Sequence, residues 1–363
     1  MRGLLATALL ALGCGILPPI ESHPDDRAPA QLAPLWQIQL DTPEVLAFFP
    51  VQRAVPAYAN RGRIVLAGSD AGAIVGASAV DGRELWRFRT EGKVRGGLAV
   101  VGRNAYFGAT DGKFYKIDAK DGEPVWEKPF STHGAITAAP RVDGGRVYFR
   151  SNENRVYALN AETGAWAWDK GRRRDEEMTV TGEGTPLVSG TRVIVGFDDG
   201  TLSALRVADG ETEWSKSLSG NETRFVDVDT SPVEYEGTVY AASFAGGLWA
   251  LDAEFGGIKW RFPATSAPDS DRRGIQTPAV DDRYLYIASI DGKLRALEPT
   301  TGAVAWTLSV PWATFSAPTV DGSRLFVATG QGLLVVEAAT GRVQARLGSD
   351  DGQSAPIASA NGL

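Results

Sequence analysis

An all-β fold, an eight-bladed β-propeller of four-stranded antiparallel blades, is predicted by three observations. They are a recurring Gly-x-x-x-Trp signature, short segments of period-two side-chain alternation between its copies, and turn pairs at steady spacing. The turn glycines are Gly82, Gly122, Gly164, Gly210, Gly256, Gly302 and Gly341; Trp86, Trp126, Trp168, Trp214, Trp260, Trp306 and, in the last copy, Ala345 follow four residues later. Trp36 supplies an eighth equivalent position at the front, and the interval is about 44 residues, the period of propeller blades.

Each unit resolves into four strands. The first is short and apolar and is introduced by a proline, as at Ala139-Pro140, Thr185-Pro186, Ser231-Pro232, Thr277-Pro278 and Ala317-Pro318. Proline is tolerated there because it removes a ladder donor only at the strand's first position. The second strand is seen in Arg146-Val-Tyr-Phe149, Thr238-Val-Tyr-Ala241, Tyr284-Leu-Tyr-Ile287 and Arg324-Leu-Phe-Val327. The third, reached through a glycine turn, is seen in Gly112-Lys-Phe-Tyr-Lys-Ile-Asp118 and Gly292-Lys-Leu-Arg-Ala-Leu-Glu298. The fourth carries the tryptophan. Asp-Gly, Thr-Gly and Gly-Gly pairs supply the positive φ that tight hairpins require. Beyond the first residues no window sustains the i, i+3, i+4, i+7 apolar pattern of a globular helix.

At 363 residues the chain exceeds an ordinary domain, but a radial array grows by adding blades and needs no larger single core. One domain, residues 34–363, is expected. Its ten tryptophans fall mostly at the repeat positions, which assigns them to packing between blades. The net charge of −7 argues against nucleic acid as a partner.

Residues 1–13 read as a signal peptide: Arg2 gives a positive start, and Leu4 to Leu12 form an apolar run broken only by Thr7, too short to span a bilayer. Gly13 precedes Cys14, the only cysteine. Pro18-Pro19 and the polar stretch from Glu21 to Arg27 suit a flexible tether over residues 14–33. A lone cysteine after a leader and a small residue resembles the bacterial lipobox, in which the thiol is acylated and anchors the protein. Ala11 and Leu12 depart from the usual residues, and the alternative is an ordinary leader cut nearby. Several acyl chains at Cys14 would anchor the protein stably where one would be marginal, and Gly15 after it points to the outer membrane. With one cysteine there is no intramolecular disulfide.

Catalytic groups are scarce. His23 lies in the tether and His133 in the loop Ser131-Thr-His-Gly134, neither with a partner at metal-ligand spacing. Asp198-Asp-Gly200 lacks the ligand series of a calcium loop. No Gly-x-Gly-x-x-Gly joins a strand to a helix. No catalytic residue, cofactor or metal is expected.

The repeat, as in Tyr157-Ala-Leu-Asn-Ala-Glu-Thr-Gly-Ala-Trp-Ala-Trp168, resembles the pyrroloquinoline quinone type of propeller repeat. Quinone-dependent dehydrogenases of that type carry a vicinal disulfide, which one cysteine cannot form; that activity is the least favoured reading. Two stretches are more specific. Asp227-Val-Asp-Thr-Ser-Pro-Val233, with Arg224 ahead of it and Gly237 to Asp252 after it, and Met178-Thr-Val-Thr-Gly-Glu-Gly-Thr-Pro186, resemble the BamB family, propeller lipoproteins of the outer-membrane β-barrel assembly machine. The resemblance implies a non-enzymatic scaffold on the periplasmic face of the outer membrane. Such a scaffold docks on periplasmic domains of the core barrel subunit and assists folding and insertion of nascent outer-membrane proteins. It implies partner-binding roles for Asp227, Asp229 and Arg224 and for Met178, Val180 and Thr181. The last three stand where the family more often has Leu, Leu and Arg, which raises the question whether Arg172, Arg173 or Arg174 replaces the cation.

Asp227 and Asp229, two apart at the start of a strand, would point the same way if the strand has begun. Two adjacent like charges call for solvent or a cationic partner; capping a turn is the other role open to them. A propeller rim also suits a general peptide-recognition module with another partner. Finally, Ser354 to Leu363 reads as the opening strand of an eighth unit. The last blade is therefore expected to be truncated and closed by the N-terminal strand around Trp36.

Overall fold

A computed structural model describes residues 29–38, 40, 56–172, 184–220, 226–244, 246–262, 274–310 and 315–348. Within them are seven sheets, each built on four consecutive antiparallel strands in simple sequence order, the last with a fifth strand on its edge. Blade 1 comprises Ala57–Ala59, Ile64–Ser69, Ala73–Ser78 and Glu84–Arg89. Blades 2 to 7 begin at Ala99–Val101, Arg141–Asp143, Leu187–Ser189, Val233–Tyr235, Ala279–Val280 and Thr319–Asp321 and end at Phe130–Ser131, Trp166–Gly171, Thr212–Ser217, Ile258–Phe262, Val304–Ser309 and Val343–Gly348. The first strands stand side by side from blade 1 to blade 7. The prolines sit one residue ahead of the first strands, outside the ladder.

The core is a series of layers between blades. Six clusters of buried apolar side chains correspond to the six junctions from blade 1 to blade 7. Between blades 2 and 3, for example, Phe114 stacks on Phe149 with ring centroids 4.0 Å apart. Burying a side chain of this size contributes about 2–3 kcal/mol, and the sum accrues junction by junction, as in other repeat arrays.

The tryptophans fasten each layer from outside. In six blades the register of the third and fourth strands slips by one residue beside the repeat position. The bulge places each tryptophan opposite a small residue: Gly76 faces Trp86, Ala158 faces Trp168, Ala204 faces Trp214, Ala250 faces Trp260 and Ala296 faces Trp306. A Cβ at Gly76 would stand 2.2 Å from the indole of Trp86. Each ring also covers the turn glycine of the following blade, Trp86 on Gly122 through Trp306 on Gly341. From that position Trp126, Trp168, Trp214, Trp260 and Trp306 donate Nε1–H to the carbonyls of Glu162, Val207, Ala253, Pro299 and Ala338, at 2.9–3.3 Å.

Blade 2 departs from the pattern. Pro124 and Pro129 interrupt its outer strand, and Lys116 replaces the small residue, its buried ammonium 3.0 Å from the carboxylate of Glu162.

The expected count of eight blades is corrected to seven among the described residues. Trp36 does occupy the repeat position: its ring covers Gly82 and its Nε1 donates to Ala79 O at 3.0 Å. It lies outside any strand, however. The N-terminal strand is instead Ala30–Gln31, which pairs in parallel with Ala345 and Arg346 on the outer edge of blade 7. Blade 7 already has its own four strands, so the N-terminal strand adds a fifth to its edge rather than completing a truncated blade. The chain then crosses to blade 1 at Trp36. Ser354 to Leu363, the expected eighth opening strand, lies outside the described residues.

Candidate functional site

The segment 226–232 joins the outer strand of blade 4 to the first strand of blade 5. It is not a strand, yet it is fixed at almost every residue. Val228 is fully buried, and its amide donates to Phe197 O in blade 4 at 3.2 Å. Asp227 accepts at its carbonyl from the amide of Phe244 in blade 5, at 3.1 Å. Thr230 Oγ1 donates to Ala242 O at 2.8 Å and accepts from Ala242 N–H at 3.1 Å, replacing a missing strand partner. Ser231 N–H donates to Thr277 Oγ1 at 3.0 Å, while Ser231 Oγ accepts from Thr185 N–H at 2.9 Å.

The last two bonds form a hydroxyl relay across blades 4, 5 and 6. Its members are the residues preceding Pro186, Pro232 and Pro278, each 46 residues from the next. Blade 7 has Ala317 at that place, with no side-chain oxygen to accept from the amide of Thr277, so the series ends there. The Ser/Thr-Pro recurrence marks a strand start in the sequence, but the role of its hydroxyls as acceptors from neighbouring blades emerges only in the fold.

Within this frame the two aspartates differ. Asp227 is buried, at 1% exposure, whereas Asp229 is partly exposed between Val228 and Thr230. The expectation that both carboxylates share one strand face is corrected, because the ladder starts only at Val233. Of the two, only Asp229 reaches solvent; Asp227 lies in the interior beneath it. Arg224, Met178, Val180, Thr181 and Cys14 lie outside the described residues, as do Arg173 and Arg174. The following residues, Gly184 and Thr185, approach the aspartate segment so closely that a Cβ at Gly184 would stand 2.6 Å from Thr230 O.

Arg172 does not act as a spare cation. Its guanidinium donates to Asp199 Oδ2, Ser203 Oγ and Ser215 Oγ at 3.0, 2.8 and 2.7 Å and lies 4.9 Å from the Phe197 ring centroid. Beneath it, Arg150 and Asp198 form a buried pair at 2.9 Å between blades 3 and 4. Asp198 is thereby accounted for as a structural ion-pair partner. His133 is exposed in its loop. Among the described residues no group of three His, Cys, Asp or Glu side chains could hold a metal ion.

Blades fastened by tryptophan-on-glycine contacts, with a clamped loop between blades 4 and 5, define a β-propeller of pyrroloquinoline-quinone-like repeats. The family described as outer membrane protein assembly factor BamB matches residues 33–131, 70–272 and 250–361. The chain belongs to that family. A relative of the same description from Nitrosomonas eutropha is 30% identical over 98 residues, a match that takes in 27% of this chain and 22% of the relative. Among solved structures, BamB from Moraxella catarrhalis superposes with a TM-score of 0.71 at 20% identity, over 84% of this chain and 90% of that one. The computationally designed Ika8 protein gives 0.69 at 17% identity, over 86% and 92%. A quinohemoprotein alcohol dehydrogenase from Pseudomonas putida HK5 gives 0.63 at 17% identity, over 85% of this chain and 68% of that one. At these identities the structural likenesses establish the fold alone.

Proposed function

We propose that the protein is a non-enzymatic scaffold of outer-membrane β-barrel assembly. It is held at the periplasmic face of the outer membrane by acylated Cys14, docks on periplasmic domains of the core barrel subunit and assists insertion of nascent outer-membrane proteins. The observation that carries the reading is the placement of Asp229, a partly exposed carboxylate held by anchored neighbours on both sides at the junction of blades 4 and 5. A carboxylate carried on a backbone fixed before encounter loses less entropy on binding, and a cationic group opposite it would add specificity and speed of association. Met178, Val180 and Thr181, with Arg224, complete the proposed contact as an apolar anchor beside charge.

Capture of the core subunit from outer-membrane extracts tests this. Asp229→Ala is expected to weaken capture by about tenfold; Asp227→Asn should act through the loop's support and lower thermal stability as well. Unchanged capture by Asp229→Ala, or recovery of an unrelated partner alone, would overturn the proposal. Mass spectrometry of the mature N-terminus tests the anchor: an unmodified or absent Cys14 would remove it.

A further inference from the structure

The geometry points to Thr230 as a positioning residue that fixes the backbone from which the Asp229 carboxylate is presented, an inference that rests on the docking role proposed for Asp229. Thr230 is buried, at 5% exposure, so it cannot touch a partner itself. Its hydroxyl takes both backbone groups of Ala242, which holds residue 230 against the second strand of blade 5. On the other side of Asp229, the amide of Val228 is tied to Phe197 in blade 4. Asp229 is thus one residue held between two anchors on different blades, one backbone bond at Val228 and two bonds through the Thr230 hydroxyl.

Close packing closes the remaining freedom. The backbones approach so closely that residue 184 must be glycine, since a Cβ there would lie 2.6 Å from the Thr230 carbonyl oxygen. Ser231, next in sequence, is bonded to Thr185 and Thr277. The partner group this arrangement fits is a side-chain cation with several N–H donors, a guanidinium above all, whose bidentate recognition depends on carboxylate orientation more than a point charge would.

The fold contains its own control. In blade 7, Ser316 makes the equivalent clip: its hydroxyl accepts from Ala328 N–H at 3.0 Å, and its amide donates to Ala328 O at 2.9 Å. Loss of either hydroxyl leaves a buried backbone group unpaired, so both substitutions should lower the melting temperature. Only the loss at Thr230 should alter docking.

The experiment is a titration of the full mature chain with the purified periplasmic portion of the core barrel subunit, well below the melting temperature. Thr230→Ala is expected to weaken affinity by about tenfold, Thr230→Ser to restore most of it, and Ser316→Ala to leave it unchanged. Equal losses for Thr230→Ala and Ser316→Ala, or no loss for Thr230→Ala while Asp229→Ala binds weakly, would overturn the positioning role alone. Full affinity for Asp229→Ala would overturn the docking role and this inference with it.

Discussion

The indole of Trp168 in blade 3 lies on Gly210 in the turn of blade 4, so close that a Cβ at Gly210 would stand 2.6 Å from the ring. The backbone of Gly210 has φ +76°, so the site excludes a side chain on two grounds. Gly190, in another turn of the same blade, has φ +56° but nothing within 4 Å of its Cβ position. Gly190→Ala is therefore expected to cost about 1 kcal/mol, for the left-handed backbone alone. Gly210→Ala adds overpacking of about 1–3 kcal/mol against a rigid ring. Urea titration of the two variants separates the contributions; equal midpoints would mean that the tryptophan contact carries no weight.

Trp86 offers a second comparison. It packs on Gly122 as Trp168 packs on Gly210, but its buried Nε1 has no hydrogen-bond acceptor among the described residues, whereas Trp168 Nε1 donates to Val207 O at 2.9 Å. Replacement by phenylalanine removes similar apolar area at both places. It breaks a bond only at Trp168 and relieves an orphaned donor at Trp86. Trp168→Phe is expected to be the more destabilising by about 1–2 kcal/mol, measured as the difference between the two unfolding free energies.

The repeat positions are legible in the sequence and the depth of Asp227 is not, for a physical reason. The Gly-x-x-x-Trp register repeats with every blade, so one register announces all its copies, Trp36 among them, whereas the contact of Trp36 with Gly82 emerges only in the fold. The bulge opposite Gly76 and Ala158 left a trace in the small residues of the third strand. The depth of Asp227 left none, because it depends on how blades 4 and 5 enclose a loop that has no strand periodicity. The blade count failed for a related reason. Eight tryptophan-like positions mark eight outer-strand places, but a place on the next blade's turn does not require a complete sheet behind it.

The buried Arg150–Asp198 pair makes an asymmetric prediction. Both side chains are about 2% exposed, Asn154 Oδ1 accepts from Arg150 Nη2 at 3.3 Å, and Arg150 Nε and Nη1 and Asp198 Oδ2 have no hydrogen-bond partners among the described residues. Removing one charge strands the other, so Asp198→Ala is expected to cost about 3–5 kcal/mol, whereas a paired change to Arg150→Met with Asp198→Leu should cost much less or stabilise. A double-mutant cycle in guanidinium chloride measures the coupling. Additive losses in the double variant would show that the pair is not the source of the cost.

Asp291 in blade 6 predicts the acid limb of stability. Burial by itself pushes its carboxyl up, but bonds from Arg295 and Ser289, both at 2.6 Å, and the charges of Arg295 and Lys293 outweigh this and hold it below its ordinary value. A carboxylate whose folded value is depressed contributes stability that is fully present above its unfolded value, about 3.9, and is lost as pH falls through the folded one. Asp291→Asn should therefore be less stable than the parent by a constant amount from neutrality down to about pH 5, with the gap narrowing below about pH 4. Denaturant titrations of both proteins across that range read the gap directly. A gap that stays constant into strong acid would mean that the variant's loss comes from packing and not from the charge held by Arg295.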